Sequence, residues 1–102
     1  FKELPLETPT VREEVVSAFH LYVIRLKNRD TVQKKLSDLG IGALIHYPVP
    51  IHLQPAYHGR IKHNGLPETE RAAMEILSLP MYPELSDQEV EQVIEAVKAA
   101  LL

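Results

Sequence analysis

Apolar residues along this chain fall into short runs whose spacing alternates between strand-like and helix-like. The first run, residues 17–26, has the sequence SAFHLYVIRL and is rich in aromatic and β-branched residues, which favour strands. Both of its alternating sets are mostly apolar, so we expect both faces of the strand to be covered, as in a central strand.

A helix is predicted directly after this strand. Asp30 is expected to cap it, with Gln33 as the capping-box partner three residues on. Gly40 should end it, because glycine readily takes the left-handed conformation that terminates helices. The apolar stripe between these signals has helical spacing and consists of Val32, Leu36 and Leu39.

A second strand and a long loop are predicted next. Residues 41–46, with the sequence IGALIH, form a short apolar run, and Pro48 should end it because proline cannot donate to a ladder. Residues 47–67 form a long irregular stretch that holds four of the chain's eight prolines. A loop this long inside a compact domain is usually functional or disordered. Its apolar side chains favour order: Tyr47, Ile51, Leu53 and Tyr57.

Two further helices complete the pattern. The first covers residues 68–77 and starts at Pro67, since proline suits the first helical turn. An extended piece follows at residues 78–83. Ser86 and Glu89 then form a capping box that opens the last helix. The predicted buried face of that helix is Val90, Val93, Ile94, Val97 and Leu101.

The predicted order of elements is therefore β-α-β-loop-α-(β)-α. This order predicts an α+β domain, with a small mixed or antiparallel sheet and about three helices on one face. Residues 1–16 contain two prolines and several charges, which indicates an extended lead-in or linker. Residues 17–102 form the predicted domain.

Composition narrows the class of protein. The 102 residues are 45% hydrophobic and 25% charged, which is ordinary for a globular domain. The formal net charge of -3 argues against non-specific binding to nucleic acid or to an anionic membrane. Without cysteine there is no disulfide, thiolate metal site or cysteine nucleophile. No apolar run approaches the roughly 18 residues needed to span a bilayer, and neither a glycine-rich phosphate loop nor a nucleophile-elbow motif is present.

The long loop has an unusual charge pattern. No acidic residue occurs between Asp38 and Glu68, whereas the same interval holds the basic or imidazole side chains of His46, His52, His58, Arg60, Lys62 and His63. Such donors suit phosphate or sugar oxygens, so one interpretation is a site for an anionic ligand. The alternative is a proline-stiffened loop with merely exposed histidines, and the charge pattern does not separate the two. Histidine spacings of six, six and five residues without a carboxylate disfavour a structural zinc site.

Within this loop, residues 46–57 read HYPVPIHLQPAY, with P-x-P and H-x-Q elements. This string resembles the C-terminal region of the DegT/DnrJ/EryC1/StrS family of pyridoxal-phosphate-dependent sugar aminotransferases. Further segments agree in the same order: HLYVIRL at residues 20–26, LGIGALIHYP at 39–48 and LPETERAAMEILSLPMYPELS at 66–86. The resemblance covers nearly the whole chain from about residue 19.

The resemblance implies the small C-terminal domain of a fold type I aminotransferase. Such enzymes are expected to be cytoplasmic homodimers that move an amino group, usually from L-glutamate, onto a keto sugar attached to a nucleoside diphosphate. The small domain is expected to help close the substrate pocket. The positions that match the family's substrate-side motif are His46 and Tyr47, with His52 and Gln54 as further substrate-binding or loop-bracing candidates.

The family binds pyridoxal 5'-phosphate through a lysine in a large domain, and none of the six lysines here lies in that segment. We therefore expect no catalytic residue and no bound cofactor in this chain, which begins at Phe1 and reads as a piece of something longer. The alternatives are a lysine-less sugar dehydratase relative and a stand-alone module that binds nucleotide sugars or other anions.

Overall fold

The two strands of the structure pair antiparallel, with Tyr22 opposite Leu79 and Arg25 opposite Ile76. The computed structural model describes all 102 residues. Its elements are β1 (Tyr22–Arg25), α1 (Arg29–Asp38), a 3-10 turn (Ile51–Leu53), α2 (Pro67–Glu75), β2 (Ile76–Leu79) and α3 (Asp87–Leu101). Helix α1 packs against α3 and β2. The predicted α+β class is confirmed, with an antiparallel rather than a mixed sheet.

Strand β1 is shorter than the predicted strand at residues 17–26. The chain turns before it, since Phe19 has a φ of 44° and donates its backbone N–H to Ser17 Oγ. On the side away from β2, Arg25 forms a single bridge with Glu7. Of the four β1 residues only Ile24 is fully buried, so the strand is less covered than expected.

The predicted second strand at residues 41–46 is wrong as a full strand. Only Leu44 bridges Ser78 of β2 in an isolated pair. The carbonyl of the preceding residue, Ala43, instead accepts a 2.9 Å hydrogen bond from the Gln33 side chain of α1. Because Leu44 exchanges both of its backbone hydrogen bonds with Ser78, the carbonyl of Ala43 faces away from β2, where the Gln33 side chain satisfies it.

The two ends of α1 were predicted with unequal success. The helix begins at Arg29 with Asn28 as its N-cap, so the prediction of Asp30 as the cap is wrong. Gly40 ends the helix as predicted, with a φ of 78°. Hydrogen bonds from Gly40 N to Ser37 O (3.0 Å) and from Ile41 N to Leu36 O (2.8 Å) form a Schellman motif.

Helix α2 begins at Pro67 as predicted but ends at Glu75, two residues early. Ile76 and Leu77 belong instead to β2, which therefore starts before the extended piece predicted at residues 78–83. The buried Arg29 guanidinium donates to the carbonyls of Ala73 (3.3 Å) and Ile76 (3.1 Å) at this junction. The first of these hydrogen bonds satisfies a carbonyl in the last turn of α2, which has no partner within the helix, and the second satisfies the carbonyl of the first residue of β2.

Helix α3 opens with the predicted capping box. Ser86 Oγ accepts the N–H of Glu89 at 3.3 Å, and the Glu89 carboxylate accepts the N–H of Ser86 at 2.8 Å. The buried face differs from the predicted one and consists of Val93, Ala96, Val97 and Ala100. Alanines on this face permit close approach of the packed backbone, while Val90 remains 38% exposed.

The core lies between the sheet, α1 and α3. Its four fully buried large side chains are Ile24, Leu36, Leu77 and Val97. Residues 1–16 contain no helix or strand. Three of their apolar side chains nevertheless pack against the core, namely Phe1, Leu4 and Leu6. The lead-in is therefore anchored at its beginning and at the Glu7 bridge.

We expect Ser86→Ala to lower the free energy of unfolding by about 1 kcal/mol, because it removes the side-chain acceptor at the start of α3. Urea unfolding measures the change. The matched control is Ser37→Ala, which removes an exposed hydroxyl inside α1 and should have almost no effect. Equal destabilisation by the two substitutions would contradict a specific contribution from the cap.

Candidate functional site

The loop between α1 and α2 is ordered by local turns. It carries the four candidate residues, His46, Tyr47, His52 and Gln54. The 3-10 turn Ile51–Leu53 buries His52 while its neighbours Ile51 and Leu53 stay exposed. The next turn is closed by hydrogen bonds from the backbone N–H groups of Tyr57 and His58 to the carbonyl of Gln54, both at 2.9 Å. These turns give the loop a defined shape without a strand or long helix.

His46 is held from outside the loop by a residue of β2. Its Nδ1 lies 2.9 Å from Oγ of Ser78, which is 4% exposed. The His46 ring is half-buried and meets the Tyr47 ring edge-on, with centroids 5.6 Å apart. Tyr47 itself is 73% exposed. The pair thus combines an imidazole with one anchored nitrogen and a phenol that faces solvent.

His52 is held from outside the loop by a residue of α2. Its Nε2 lies 2.9 Å from Oε1 of Glu70, and the histidine is 4% exposed. The same carboxylate oxygen accepts the N–H of Leu66 at 3.4 Å. Hydrogen bonding by His52, followed by that of the Leu66 backbone, holds the pKa of Glu70 below its ordinary value. His63 completes the cluster, with its ring centroid 4.7 Å from that of His52.

Gln54 braces the loop internally. Its side-chain amide donates to the carbonyl of Val49 at 3.4 Å, which ties the 3-10 turn to the proline-rich segment before it. The contact is compatible with the expected bracing role. The structure thus places His46 and Tyr47 beside β2, and His52 and Gln54 around the 3-10 turn.

Although the loop sequence contains no acidic residue, one carboxylate contacts the loop in the folded chain, because Glu70 of α2 lies against His52. Farther along the loop, His58, Arg60 and Lys62 are exposed. Neither Arg60 nor Lys62 forms an ion pair with a carboxylate. These cations therefore remain available to an external anion.

Sequence reasoning missed the two anchoring residues, Ser78 and Glu70. Ser78 carried a signal, since it is the one polar residue in the strand ILSL. Glu70 carried none, because it is one of several acids on a surface helix. No group of three or more histidine, cysteine or acidic side chains is placed to hold a metal ion. No helix has the length and apolar character required to cross a bilayer.

We expect Glu70→Gln to flatten the acid limb of the pH–stability profile. The pKa of Glu70 is lowered from 4.5, so the contact stabilises the folded chain above that pH. This contribution is lost as the pH falls through the lower, folded-state pKa. The difference between wild type and variant should therefore be larger at about pH 6 than at about pH 3 in urea unfolding.

The control is Glu84→Gln, which changes an exposed acid that makes no ion pair. Its stability should follow that of the wild type across the range. A Glu70→Gln profile parallel to that of the wild type at every pH would refute the role given to the His52 contact.

The fold is an α+β domain with an ordered, histidine-bearing loop, and comparison with known proteins identifies its family. Residues 1–98 match the model of the DegT/DnrJ/EryC1/StrS aminotransferase family. The chain therefore belongs to this family.

Two relatives illustrate the match. The chain is 42% identical over 100 residues to the erythromycin biosynthesis sensory transduction protein EryC1 of Saccharopolyspora erythraea, covering 96% of this chain and 27% of that protein. It is 40% identical over 92 residues to a dTDP-3-amino-3,6-dideoxy-alpha-D-galactopyranose transaminase of Aneurinibacillus thermoaerophilus, covering 90% and 25%. The chain thus spans about a quarter of the length of these relatives.

Solved structures agree with the fold. S. venezuelae DesV, in complex with a ketimine intermediate, superposes with a TM-score of 0.88 at 38% identity, covering 94% of this chain and 26% of that chain. Bacillus subtilis ntda with bound cofactor PMP gives a TM-score of 0.78 at 26% identity, and the match covers 95% of this chain and 23% of that chain.

Proposed function

We propose that this chain is the small domain of a pyridoxal-phosphate-dependent sugar aminotransferase. The observation that carries the proposal is the family match over residues 1–98 combined with coverage of only about a quarter of the relatives. In this proposal residues 17–102 are the small domain and residues 1–16 are the lead-in to it. The intact enzyme transfers an amino group, with L-glutamate as the donor, to a nucleoside-diphosphate keto sugar in the cytoplasm.

The proposed substrate contacts are His46 and Tyr47. One nitrogen of His46 is anchored on Ser78, and Tyr47 is largely exposed, so both can offer donors to oxygens of a nucleotide sugar. The unpaired cations Arg60 and Lys62 favour a ligand of negative charge, as a diphosphate is. His52 and Gln54 support the site by holding the loop in shape, through Glu70 and Val49 respectively.

Closure of the substrate pocket is supported by the apolar exposure of the same loop. Several of its large hydrophobic residues are exposed to solvent, among them Val49, Ile51, Leu53 and Tyr57. A cluster of exposed apolar side chains beside polar groups marks a surface that another surface covers. In the intact enzyme we assign that cover to the large domain and to the second subunit of a homodimer.

The residues of this chain do not fit a pyridoxal phosphate site. All six lysines are exposed, whereas a Schiff-base lysine reacts as a free amine and is activated by desolvation or a cationic neighbour. Two of the lysines are also engaged: Lys35 donates to the carbonyl of Ala100 at 3.0 Å, and Lys98 pairs with Glu95 at 2.7 Å. Pyridoxal phosphate supplies the electron sink of transamination, and in this proposal the residues that hold it belong to the rest of the intact enzyme.

A transamination assay tests the proposal. The intact enzyme that carries this chain should convert a dTDP-keto sugar to an amino sugar with L-glutamate, whereas the isolated chain should show no turnover in the presence of the cofactor. The absence of amino transfer by the intact enzyme to any nucleoside-diphosphate keto sugar would overturn the proposal. Turnover by the isolated chain would overturn its assigned inactivity.

A stand-alone module that binds an anion is the second candidate. Anchoring of two loop histidines by residues outside the loop favours it, because the loop is organised without a second domain. Calorimetric titration of the isolated chain with a dTDP-sugar distinguishes the two. Binding to the isolated chain that is lost in the His46→Ala variant would support a stand-alone binding module. If no heat of binding is measured at millimolar dTDP-sugar, the module is excluded and only the aminotransferase domain remains.

A further inference from the structure

Ser78 is a polar residue in the core. It lies in β2 between the buried Leu77 and Leu79 and is itself 4% exposed. Its backbone is fully engaged with Leu44, with hydrogen bonds of 2.7 Å from Ser78 N to Leu44 O and 3.0 Å from Leu44 N to Ser78 O. The same bridge places His46, two residues beyond Leu44, within reach of the Ser78 side chain.

The Ser78 hydroxyl has a single hydrogen-bond partner, Nδ1 of His46, at 2.9 Å. A buried hydroxyl whose proton has no acceptor loses free energy relative to its hydrated state. Nδ1 can accept that proton only when it carries none of its own. In neutral imidazole the ring proton must then reside on Nε2.

We propose that Ser78 is a positioning residue that fixes the tautomer of His46, so that the ring presents an Nε2–H donor to the ligand. The inference deepens the proposed function and rests on it for the identity of that ligand. Nε2 of His46 makes no hydrogen bond within the chain, so its proton is free for a ligand oxygen. A phosphate or sugar oxygen is an acceptor that such a donor fits.

His52 shows that the arrangement is specific to His46. Glu70 holds His52 at Nε2, the opposite ring nitrogen, and the His52 side chain is buried. His52 therefore cannot offer the same atom to a ligand. Of these two anchored histidines, only His46 has an Nε2 atom without a hydrogen-bond partner. The residue that anchors His46 lies in β2, whereas the residue that anchors His52 lies in α2.

Nitrogen NMR of the isotope-labelled chain tests the tautomer directly. At about pH 8 an ordinary imidazole is neutral, and long-range proton–nitrogen correlations distinguish a protonated from an unprotonated ring nitrogen. His46 is expected to show a protonated Nε2 and an unprotonated Nδ1. His58, which is exposed and makes no side-chain hydrogen bond, is the control and should show the averaged shifts of a tautomer mixture.

Substitutions at Ser78 assign the cause. Ser78→Ala should move the His46 nitrogen shifts toward the averaged values of His58, and Ser78→Thr, which retains the hydroxyl, should restore them. A His46 that is averaged in the wild type, that carries its proton on Nδ1, or that is unchanged in a folded Ser78→Ala variant would overturn the inference. Since the wild-type measurement needs neither a variant nor a ligand, failure of nucleotide-sugar binding with the Nε2–H tautomer intact would count against the proposed function alone.

Discussion

His46→Ala in the intact enzyme is expected to weaken binding of the nucleotide sugar by at least about 10-fold. The reason is the loss of a donor to a charged ligand, a type of hydrogen bond worth about 1.5–3 kcal/mol. The side chain is held on Ser78 before any ligand arrives, so little conformational entropy is lost on binding. Calorimetry with a dTDP-sugar, or KM for the keto sugar, measures the effect.

The matched control is His58→Ala, which removes another imidazole of the same loop that has no side-chain partner and is exposed. It should change binding by less than about twofold, since it removes only a solvated side chain. Tyr47→Phe tests the second contact by deleting a single hydroxyl. Equal binding by the wild type, His46→Ala and Tyr47→Phe would remove both residues from the site.

Leu36→Ala should lower the free energy of unfolding by about 2–5 kcal/mol. Leu36 is fully buried on α1, where that helix packs against α3, so the substitution leaves a cavity in the core. Since the total free energy of unfolding of a domain is about 5–15 kcal/mol, the expected loss is a large fraction of its stability. Urea unfolding followed by circular dichroism measures it.

Leu39→Ala controls for the change of residue type in the same region. Leu39 follows α1 directly and is 54% exposed, so its truncation removes little buried surface. We expect Leu39→Ala to lower the free energy of unfolding by less than about 0.5 kcal/mol. A similar loss at both positions would show that the α1–α3 contact does not form as described.

The sequence predicted helix starts and ends correctly where these depend on residues close together along the chain. The capping box at Ser86 and Glu89 acts within one helical turn, and Gly40 ends α1 through its own backbone conformation. Pro67 likewise starts α2 at the predicted position. These features depend on residues a few positions apart, which a sequence shows directly.

Predictions failed where a distant side chain claims a backbone group. Arg29 bonds to the carbonyls of Ala73 and Ile76, 44 and 47 residues away, at the junction where α2 gives way to β2. The expected strand at residues 41–46 is reduced to one bridge, between Leu44 and Ser78, and the neighbouring carbonyl of Ala43 is satisfied by the Gln33 side chain. Spacing along the chain carries no information about such contacts.

The candidate site divides in the same way. The loop motif pointed to His46, Tyr47, His52 and Gln54, and their roles in substrate binding stay predictions. The anchors lie 32 residues from His46 and 18 residues from His52, on other elements of the fold. A sequence motif can identify the candidate contacts, whereas the atoms that orient them depend on the packing of β2 and α2 against the loop.

The most direct test of the central claim, that this chain supplies substrate contacts and not the cofactor site, is reductive trapping of pyridoxal phosphate. The isolated chain is mixed with one equivalent of cofactor, reduced with borohydride, and mapped by peptide mass spectrometry. The account predicts only weak labelling scattered over the six exposed lysines, with no lysine labelled more strongly in the folded than in the urea-unfolded chain. Saturable labelling of one lysine in the folded chain alone would contradict it.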